Sequence, residues 1–222
     1  MQKEEKDFLK IVIFSDFFHY AENINMKKNF IITLPLIFVF ICLTSCVSVP
    51  QNKKAVKLST RIMDTGRLNA RQLTAFFLSR NQDADPQDIQ KFAQYYIEEA
   101  AAEGVNSDVA FAQMCLETGY LRFGGLVQPE FHNYCGLGAM DAEHPGEQFP
   151  DEQTGIRAHI QHLQAYGTKE ETQLNRELID PRYNWVHKTK FVEDIYGLAG
   201  TWASDPLYGQ KIETILNNMG YY

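Results

Sequence analysis

An amphipathic stretch with a clear start and a clear end constrains the fold most. Asp85 is suited to cap a helix N-terminus, Pro86 fits the first helical position, and Gly104 supplies a stop. Between them the apolar residues recur at the spacing of a helical stripe: Ile89, Phe92, Ala93, Tyr96, Ile97 and Ala100. The sequence therefore predicts a helix that buries one face in a core.

Two more helices are predicted beside this one. Asn69 is expected to cap a short helix that runs through Ser79. Ser107 is expected to cap another that runs through about Thr118 and ends at Gly119.

Downstream, helical stripes return after an irregular stretch. From Leu121 to Asp151 the chain is rich in glycines, prolines and aromatics, with short segments able to pair as one small β-hairpin. Helices are expected again from near Thr154, from Phe191 to Leu198, and after a cap and first position at Asp205-Pro206. The predicted fold class is mostly α.

The N-terminal region has the features of an export signal. Lys27 and Lys28 precede the nearly continuous apolar run Phe30–Cys42, which is shorter than the about 20 residues of a membrane span. The run closes on Leu43-Thr44-Ser45-Cys46, which resembles the bacterial lipobox, and the resemblance implies cleavage before Cys46 and lipidation of that residue. An uncleaved membrane anchor is the alternative. Either interpretation predicts an exported protein held at the bacterial cell envelope.

These features predict four segments. Residues 1–25 have no place in the signal and are interpreted as an N-terminal extension, with 26–45 as the lipoprotein signal peptide. Residues 46–68 are polar and lack helical periodicity, as in a flexible tether, and 69–222 form one catalytic domain.

Charge narrows the class of partner. The chain has a formal net charge of -7 and no long Lys/Arg run, which argues against a nucleic-acid partner. A sugar chain held by aromatic and hydrogen-bonding groups suits this composition better, and we expect a monomer. After signal removal only Cys115 and Cys135 remain in the domain, either as a disulfide or as buried free thiols.

Three short motifs carry a resemblance to a known family. Ala112-Gln113-Met114-Cys115-Leu116-Glu117-Thr118-Gly119-Tyr120, Asn133-Tyr134-Cys135-Gly136-Leu137-Gly138 and Trp202-Ala203-Ser204-Asp205-Pro206-Leu207-Tyr208 occur in this order. Together they resemble the signatures of glycoside hydrolase family 73, the bacterial glucosaminidase domain. The resemblance implies a lysozyme-like helical domain with a small β-hairpin lobe bordering the cleft. It also implies cleavage of the bond after N-acetylglucosamine in peptidoglycan.

The resemblance places Glu117 at the position of the general acid. A carboxylic acid that protonates a glycosidic oxygen must stay protonated near neutral pH, and a helix C-terminus opposes ionisation. A second carboxylate is expected in the irregular stretch, with Glu147 first and Asp151 second, although Asp151 is equally suited to cap the next helix. Assistance by the 2-acetamido group of the substrate would remove the need for it.

Five residues are expected to contact the sugar chain: Tyr120, Asn133, Tyr134, Trp202 and Tyr208. Trp202 stands where the family has a Tyr, so a role that needs a phenolic hydroxyl does not carry over, whereas stacking on a sugar face does. Core packing is the alternative for each aromatic.

No cofactor and no metal ion are expected. His159 and His162 lie three residues apart on a predicted helix, but no third ligand follows at a suitable spacing, so a hydrogen-bonded pair is the preferred interpretation. Two rival functions remain open. One is another lysozyme-like enzyme, a muramidase or a lytic transglycosylase, and the other is a lipoprotein that binds peptidoglycan without cutting it.

Overall fold

The computed structural model describes residues 54–169 and 172–222, and six α-helices carry the fold of this part. They are α1 (Ala70–Arg80), α2 (Pro86–Glu103), α3 (Ser107–Thr118), α4 (Glu152–Gly167), α5 (Tyr183–Thr189) and α6 (Tyr208–Met219). Two 3-10 helices, Pro129–Phe131 and Ile195–Leu198, lie between them. The mostly helical fold class is thereby confirmed, and it is consistent with a lysozyme-like domain.

Several predictions concern residues outside the described part of the chain. The extension at 1–25, the signal segment at 26–45 and the lipidation of Cys46 stay predictions. Among the residues that are described, no helix is long and apolar enough to cross a membrane.

Helix α3 lies at the centre of the core. All residues from Ser107 to Cys115 are buried, and α3 packs against α2, α4 and α6. A helix that is apolar on nearly all sides has to be enclosed by others. Only its C-terminal end, at Leu116 and Glu117, reaches the surface of the domain.

Helix α4 is fixed to α2 by a buried ion pair and to the preceding loop by a close approach. The Glu99 carboxylate is fully buried and accepts hydrogen bonds from Arg157 Nε at 2.9 Å and Gln153 Nε2 at 2.7 Å. Gly155 packs closely against the loop, and a Cβ at this position would lie only 1.8 Å from the carbonyl oxygen of His132. These contacts fix the helix that carries His159 and His162.

The predicted start signals are right for the first two helices and one residue off for the third. Asn69 and Gln72 form a capping box on α1, and the Asp85 side chain accepts from the amides at the start of α2. The cap of α3 is Asn106 rather than Ser107, because the Asn106 side chain accepts from the next free amides.

The C-terminal prediction needs three corrections. Phe191 to Leu198 is not an α-helix, since only Ile195–Leu198 turns as a 3-10 helix. Helix α5 was not predicted, and no side chain caps its start. Helix α6 starts at Tyr208, because the Asp205 carboxylate accepts from the Leu207 amide in a turn that precedes the helix.

The predicted tether boundary at residue 69 also needs correction. Residues 54–68 belong to the same compact unit as the helices, and Leu58, Ile62 and Leu68 are buried in the core. The backbone amide of Ile62 donates to the Glu193 carbonyl at 3.1 Å, and that of Asn106 donates to the Ile62 carbonyl at 2.8 Å. Burial of these three apolar side chains makes the segment part of the domain.

The β-hairpin lobe is not confirmed. Residues 121–151 contain turns, such as the one in which the Met140 amide donates to the His144 carbonyl at 2.9 Å, but no strand. Elsewhere in the described residues only isolated β-bridges occur. The Glu147 amide donates to the Leu137 carbonyl at 2.8 Å, so the loop folds back on itself without extending into a ladder.

Candidate active site

Glu117 is presented by an abrupt helix end. Gly119 takes a left-handed conformation with φ 59°, and Tyr120, Leu121 and Phe123 also have positive φ, at 60°, 59° and 53°. Left-handed backbone costs residues with a side chain about 1 kcal/mol or more each. Strain of this kind persists where the surroundings enforce it, and it turns the chain away so that Glu117 stands free at the end of α3.

Two side chains hold one oxygen of the Glu117 carboxyl group. Trp202 Nε1 donates to Glu117 Oε1 at 3.2 Å, and the Tyr208 hydroxyl donates to the same oxygen. Among the described residues, Oε2 has no protein partner, so it is the oxygen left for a substrate.

Surrounding protein raises the pKa of Glu117. The side chain is exposed at the floor of a cleft, yet the walls of the cleft remove much of its solvation, and this desolvation raises its pKa above the usual range. The hydrogen bonds from Tyr208 and Trp202 favour the ionised form and oppose this effect without cancelling it. The local environment thus favours a protonated carboxyl group.

A buried chain of hydrogen bonds extends from Tyr208 into the core, and we call it the sealed chain: Tyr208, Gln113, His159 and Tyr96. Gln113 Nε2 donates to the Tyr208 hydroxyl at 2.8 Å, and Gln113 Oε1 lies 3.1 Å from His159 Nε2. The Tyr96 hydroxyl lies 3.0 Å from His159 Nδ1.

The Gln113 amide fixes the direction of every bond in the sealed chain. Because its nitrogen donates to Tyr208, its oxygen must accept from His159 Nε2, and His159 Nδ1 then accepts from Tyr96. Burial lowers the pKa of His159 to about 3, so this imidazole is neutral. Each member of the sealed chain therefore donates its hydrogen bond to the next group in the direction of Glu117.

Glu117 lies where two cavities meet. The larger, of about 440 Å³, extends past Trp202 toward α4 and α5, and the smaller, of about 190 Å³, extends along Phe123–Val127. Gly136 and Ala139 line both cavities, as Glu117 does. Among the described residues that line these two cavities, Glu117 is the only carboxylate. An extended polymer could therefore pass over Glu117 from one cavity to the other.

The wall opposite Trp202 is a glycine-rich loop organised by Asn133. The Asn133 side chain is buried, donates to the carbonyls of Leu137 at 2.9 Å and Glu147 at 3.0 Å, and accepts from the Leu137 amide at 2.9 Å. Gly136 and Gly138 take left-handed conformations, with φ 68° and 74°. Asn133 thus shapes the loop, and its side-chain amide is already occupied.

A histidine that lines the larger cavity is paired with a buried carboxylate, and we call this pair the open dyad: His162 and Asp180. His162 Nδ1 lies 2.7 Å from Asp180 Oδ2, and Asp180 Oδ1 accepts from the Arg182 amide at 2.8 Å. The His162 ring packs edge-on against Trp202, with ring centroids 4.9 Å apart. Sequence reasoning noted His162 but not its partner, which lies 18 positions away in sequence.

Basic and aromatic side chains line the far end of the larger cavity. Trp185 is 53% exposed, and the Arg182 guanidinium and the Lys190 ammonium lie 5.7 Å and 5.6 Å from its ring centroid. In the described residues neither cation has a carboxylate within ion-pair distance. Although the whole chain is acidic, this end of the cleft is locally positive.

Of the five predicted sugar contacts, three reach the cleft region and two do not. Trp202 and Asn133 line cavities, and Tyr208 contacts Glu117. Tyr120 packs between Phe76 and Phe77, and Tyr134 packs against Phe92 with ring centroids 4.8 Å apart. Neither of these two tyrosines lines a cavity.

Neither candidate for the second carboxylate lines the two cavities. The Asp151 side chain accepts from the Thr154 amide at 2.8 Å as the cap of α4, and this bond holds the pKa of Asp151 below its usual range. The Glu147 carboxylate lies beside Gly138, since a Cβ on that glycine would be 3.2 Å from Glu147 Oε1.

The cysteines and histidines form no further chemical site in the described residues. Cys115 and Cys135 are both free and buried, and burial raises the pKa of each thiol well above its usual value. No group of three His, Cys, Asp or Glu side chains in this part of the chain converges as metal ligands would. His159 and His162 instead use different partners, in the sealed chain and in the open dyad.

A helical domain with a carboxyl group of raised pKa at a helix end, on the floor of an open cleft, is consistent with a lysozyme-like fold. Comparison with known proteins agrees. The model of the glucosaminidase family, described as mannosyl-glycoprotein endo-beta-N-acetylglucosaminidase, matches residues 93–221. The chain belongs to this family.

One curated relative extends the likeness beyond the family match. An uncharacterized protein of Borreliella burgdorferi is 38% identical over 174 residues, which cover 74% of this chain and 84% of that protein. No solved structure matches the chain.

Proposed function

We propose that the protein is a peptidoglycan hydrolase that cleaves the β-1,4 bond after N-acetylglucosamine, with Glu117 as the general acid. The observation that carries the proposal is the Glu117 carboxyl group, with a raised pKa, at the junction of two cavities in a glucosaminidase-family domain. Membership of the family supports the reaction class.

The contacts of Glu117 leave one carboxyl oxygen free to carry the proton of a general acid. Trp202 and Tyr208 both donate to Oε1, so the carboxyl group is held in one orientation with Oε2 toward the cleft. A proton carried on Oε2 would pass to the glycosidic oxygen as the bond to the anomeric carbon breaks. Trp202 therefore serves as a hydrogen-bond donor at the position where the family has a Tyr.

The charge of the larger cavity suits a sugar that bears a peptide. Peptidoglycan strands alternate a neutral amino sugar with one that carries a lactyl group and a peptide with free carboxylates. Arg182 and Lys190 would face these carboxylates, and Trp185 offers an aromatic face to the sugar or the peptide. The far end of the larger cavity is thus assigned to the peptide-bearing side of the strand.

Anchoring at the cell envelope is part of the proposal. The apolar run and Leu43-Thr44-Ser45-Cys46 support export and a lipid on Cys46, which would hold the domain near its insoluble substrate. We propose that the enzyme acts as a monomer, since one chain supplies every group described at the cleft.

Digestion of purified peptidoglycan tests the proposal. The full-length chain, purified in mild detergent, is compared with Glu117→Gln and with Glu98→Gln, which changes an exposed carboxylate on α2. We expect the wild-type protein and Glu98→Gln to release fragments that end in reducing N-acetylglucosamine. Glu117→Gln should lose at least about a hundredfold in rate.

The products separate the rival functions. Anhydro-muramic ends would identify a lytic transglycosylase, and reducing N-acetylmuramic acid a muramidase. If no fragment is released while wild-type and Glu117→Gln proteins both sediment with the wall, the chain binds peptidoglycan without cutting it, and the proposal fails.

A further inference from the structure

One ring nitrogen of His162 in the open dyad has no hydrogen-bond partner among the described residues. His162 Nδ1 is bonded to Asp180, and no other bond to the imidazole occurs among the described residues. No buried side-chain nitrogen or oxygen in this part of the chain lacks a partner, so the unbonded Nε2 is not enclosed in the core. His162 lines the larger cavity together with Glu117. Nε2 therefore faces the cleft.

Asp180 sets the form of the imidazole. Its carboxylate is fully buried and accepts from Nδ1, so in the neutral tautomer the ring hydrogen lies on that nitrogen and the lone pair on Nε2. The second carboxylate oxygen is held by the Arg182 amide, so Asp180 cannot turn away easily. The pair has the orientation that carboxylates impose on histidine bases in other enzymes.

We propose that His162, oriented by Asp180, is the base that activates the hydrolytic water. This inference rests on the proposed function, because it supplies the second group that the reaction needs beside Glu117. Asp180 acts through His162 and is a positioning residue.

The proposed step balances as a single displacement. His162 Nε2 takes one proton from a water molecule while the water oxygen forms a bond to the anomeric carbon. The bond from that carbon to the glycosidic oxygen breaks, and this oxygen receives the proton of Glu117. Attack opposite the leaving group inverts the anomeric configuration. The proton on His162 then returns to Glu117 through solvent.

Trp202 contacts both groups of the proposed step. One side of the indole contacts His162, with centroids 4.9 Å apart, and its nitrogen donates to Glu117 at 3.2 Å. The same side chain therefore contacts the acid and the base, and both line the larger cavity. An inverting displacement needs room for a water and a sugar carbon between the two groups, and the cavity that both groups line is the space that could hold them.

The other lining side chains are poorer bases. Burial raises the pKa of the Cys135 thiol and of the Tyr166 hydroxyl, so both stay protonated. Arg182 and Lys190 have no free lone pair while charged. The predicted alternatives, Glu147 and Asp151, do not line the cavity, and Asp151 is committed to capping α4.

The test compares His162→Gln and Asp180→Asn with His187→Gln, a histidine on α5 that lines neither cavity. On peptidoglycan we expect kcat to fall at least about a hundredfold in His162→Gln and about tenfold in Asp180→Asn, with KM changed less than about threefold. Sodium azide should restore turnover of His162→Gln and yield the α-glycosyl azide, because azide needs no base. His187→Gln should keep the wild-type kcat.

The stereochemistry of the wild-type product gives a second readout that does not depend on folding of a variant. Proton NMR early in digestion should show the α-anomer of the new reducing end. A β-anomer would overturn the inference, and so would a His162→Gln protein with kcat within about threefold of wild type. If the wild-type protein does not cut peptidoglycan, both proposals fail. If it does so while His162→Gln remains active, only the assignment of His162 fails.

Discussion

Two histidines one helical turn apart on α4 have opposite surroundings. His159 is fully buried, and both of its ring nitrogens are engaged by Tyr96 and Gln113 in the sealed chain. His162 uses one nitrogen for Asp180 and presents the other to the cleft. The first can exchange no proton with a substrate, whereas the second can. A histidine whose two ring nitrogens are both hydrogen-bonded to protein can only be structural. A histidine with one unbonded ring nitrogen can also accept a proton.

The comparison also predicts which substitutions change the free energy of unfolding and which change the kinetics. The sealed chain ends on Glu117 through the Tyr208 hydroxyl, and none of its four members lines either cavity. We therefore expect substitutions in it to change the free energy of unfolding first. Substitutions along the larger cavity should change the kinetics and leave stability nearly intact.

Gln113→Leu should cause the largest loss of stability. The change leaves the His159 Nε2–H group without an acceptor and removes the donor to the Tyr208 hydroxyl, both inside the core. Buried groups that lose their partners cost about 1–3 kcal/mol each, so the free energy of unfolding should fall by about 3 kcal/mol. Urea denaturation at pH 7.5 measures it. Gln90→Leu, at an exposed position on α2, should stay within about 0.5 kcal/mol of wild type. Equal stabilities of the two variants would refute a structural role for the chain.

His159→Gln should make the protein less sensitive to acid. Burial lowers the pKa of His159 from 6.5 to about 3, so below pH 6.5 the unfolded chain takes up a proton that the folded protein refuses. Stability then falls as the pH falls, by about 1.4 kcal/mol between pH 7.5 and 5.5. The glutamine variant lacks this contribution, so its unfolding free energy should drop by that much less over the same range. His144→Gln, at an exposed histidine, should follow wild type.

The starts of helices with local capping signals could be predicted from the sequence, and the starts of helices without them could not. Asn69 with Gln72, and Asp85 with Pro86, act on amides within three positions, so the residues that define these starts are adjacent in sequence. Helix α5 has no side-chain cap, and it is held by packing of Tyr183 and Val186 into the core. A helix defined by distant contacts leaves no local signature.

In the candidate site, too, residues that share a local motif could be predicted, and residues that meet across a long separation in sequence could not. Glu117 could be found because its motif lies within one helix, whereas Asp180 and His162 meet across 18 positions. Tyr120 and Tyr134 were expected at the sugar because they are aromatic, but residue type does not tell which face of an element points inward. The loop between α3 and α4 is held together by hydrogen bonds from the Asn133 side chain instead of by strand pairing. The sequence of such a loop looks like that of a β-hairpin, so the two could not be distinguished from the sequence.

Tyr208→Phe should change both stability and the pH dependence of activity, since Tyr208 belongs to the sealed chain and contacts the proposed acid. Its hydroxyl favours ionised Glu117, so its removal should raise the pKa of Glu117 further. Because the protonated form is active, activity is lost as the pH rises through that pKa. The alkaline limb of the kcat profile should therefore move to higher pH, while the free energy of unfolding falls by about 1 kcal/mol. Tyr221→Phe is the exposed control. A limb that stays in place would show that Tyr208 does not influence the acid.

The smallest effect should come from the locally positive end of the larger cavity. Arg182→Gln combined with Lys190→Gln removes one exposed and one half-buried charge, neither with a carboxylate partner in the described residues, so the free energy of unfolding should change by less than about 0.5 kcal/mol. Each charge paired with a peptide carboxylate should contribute about 0.5 kcal/mol, so KM for intact peptidoglycan should rise about fivefold. The kcat value should not change.

Removing the peptides from the substrate distinguishes charge recognition from loss of shape. On strands stripped of their peptides by an amidase, the double variant should have nearly the same KM as wild type, since most of the carboxylates are gone. Raising the salt concentration should weaken wild-type binding to intact strands toward that of the variant, because screening acts on exposed charges. Lys57→Gln with Lys188→Gln removes the same charge away from both cavities and should leave KM unchanged. A KM increase of equal size on stripped and intact strands would mean that these side chains hold the sugar by shape, and that the peptide lies elsewhere.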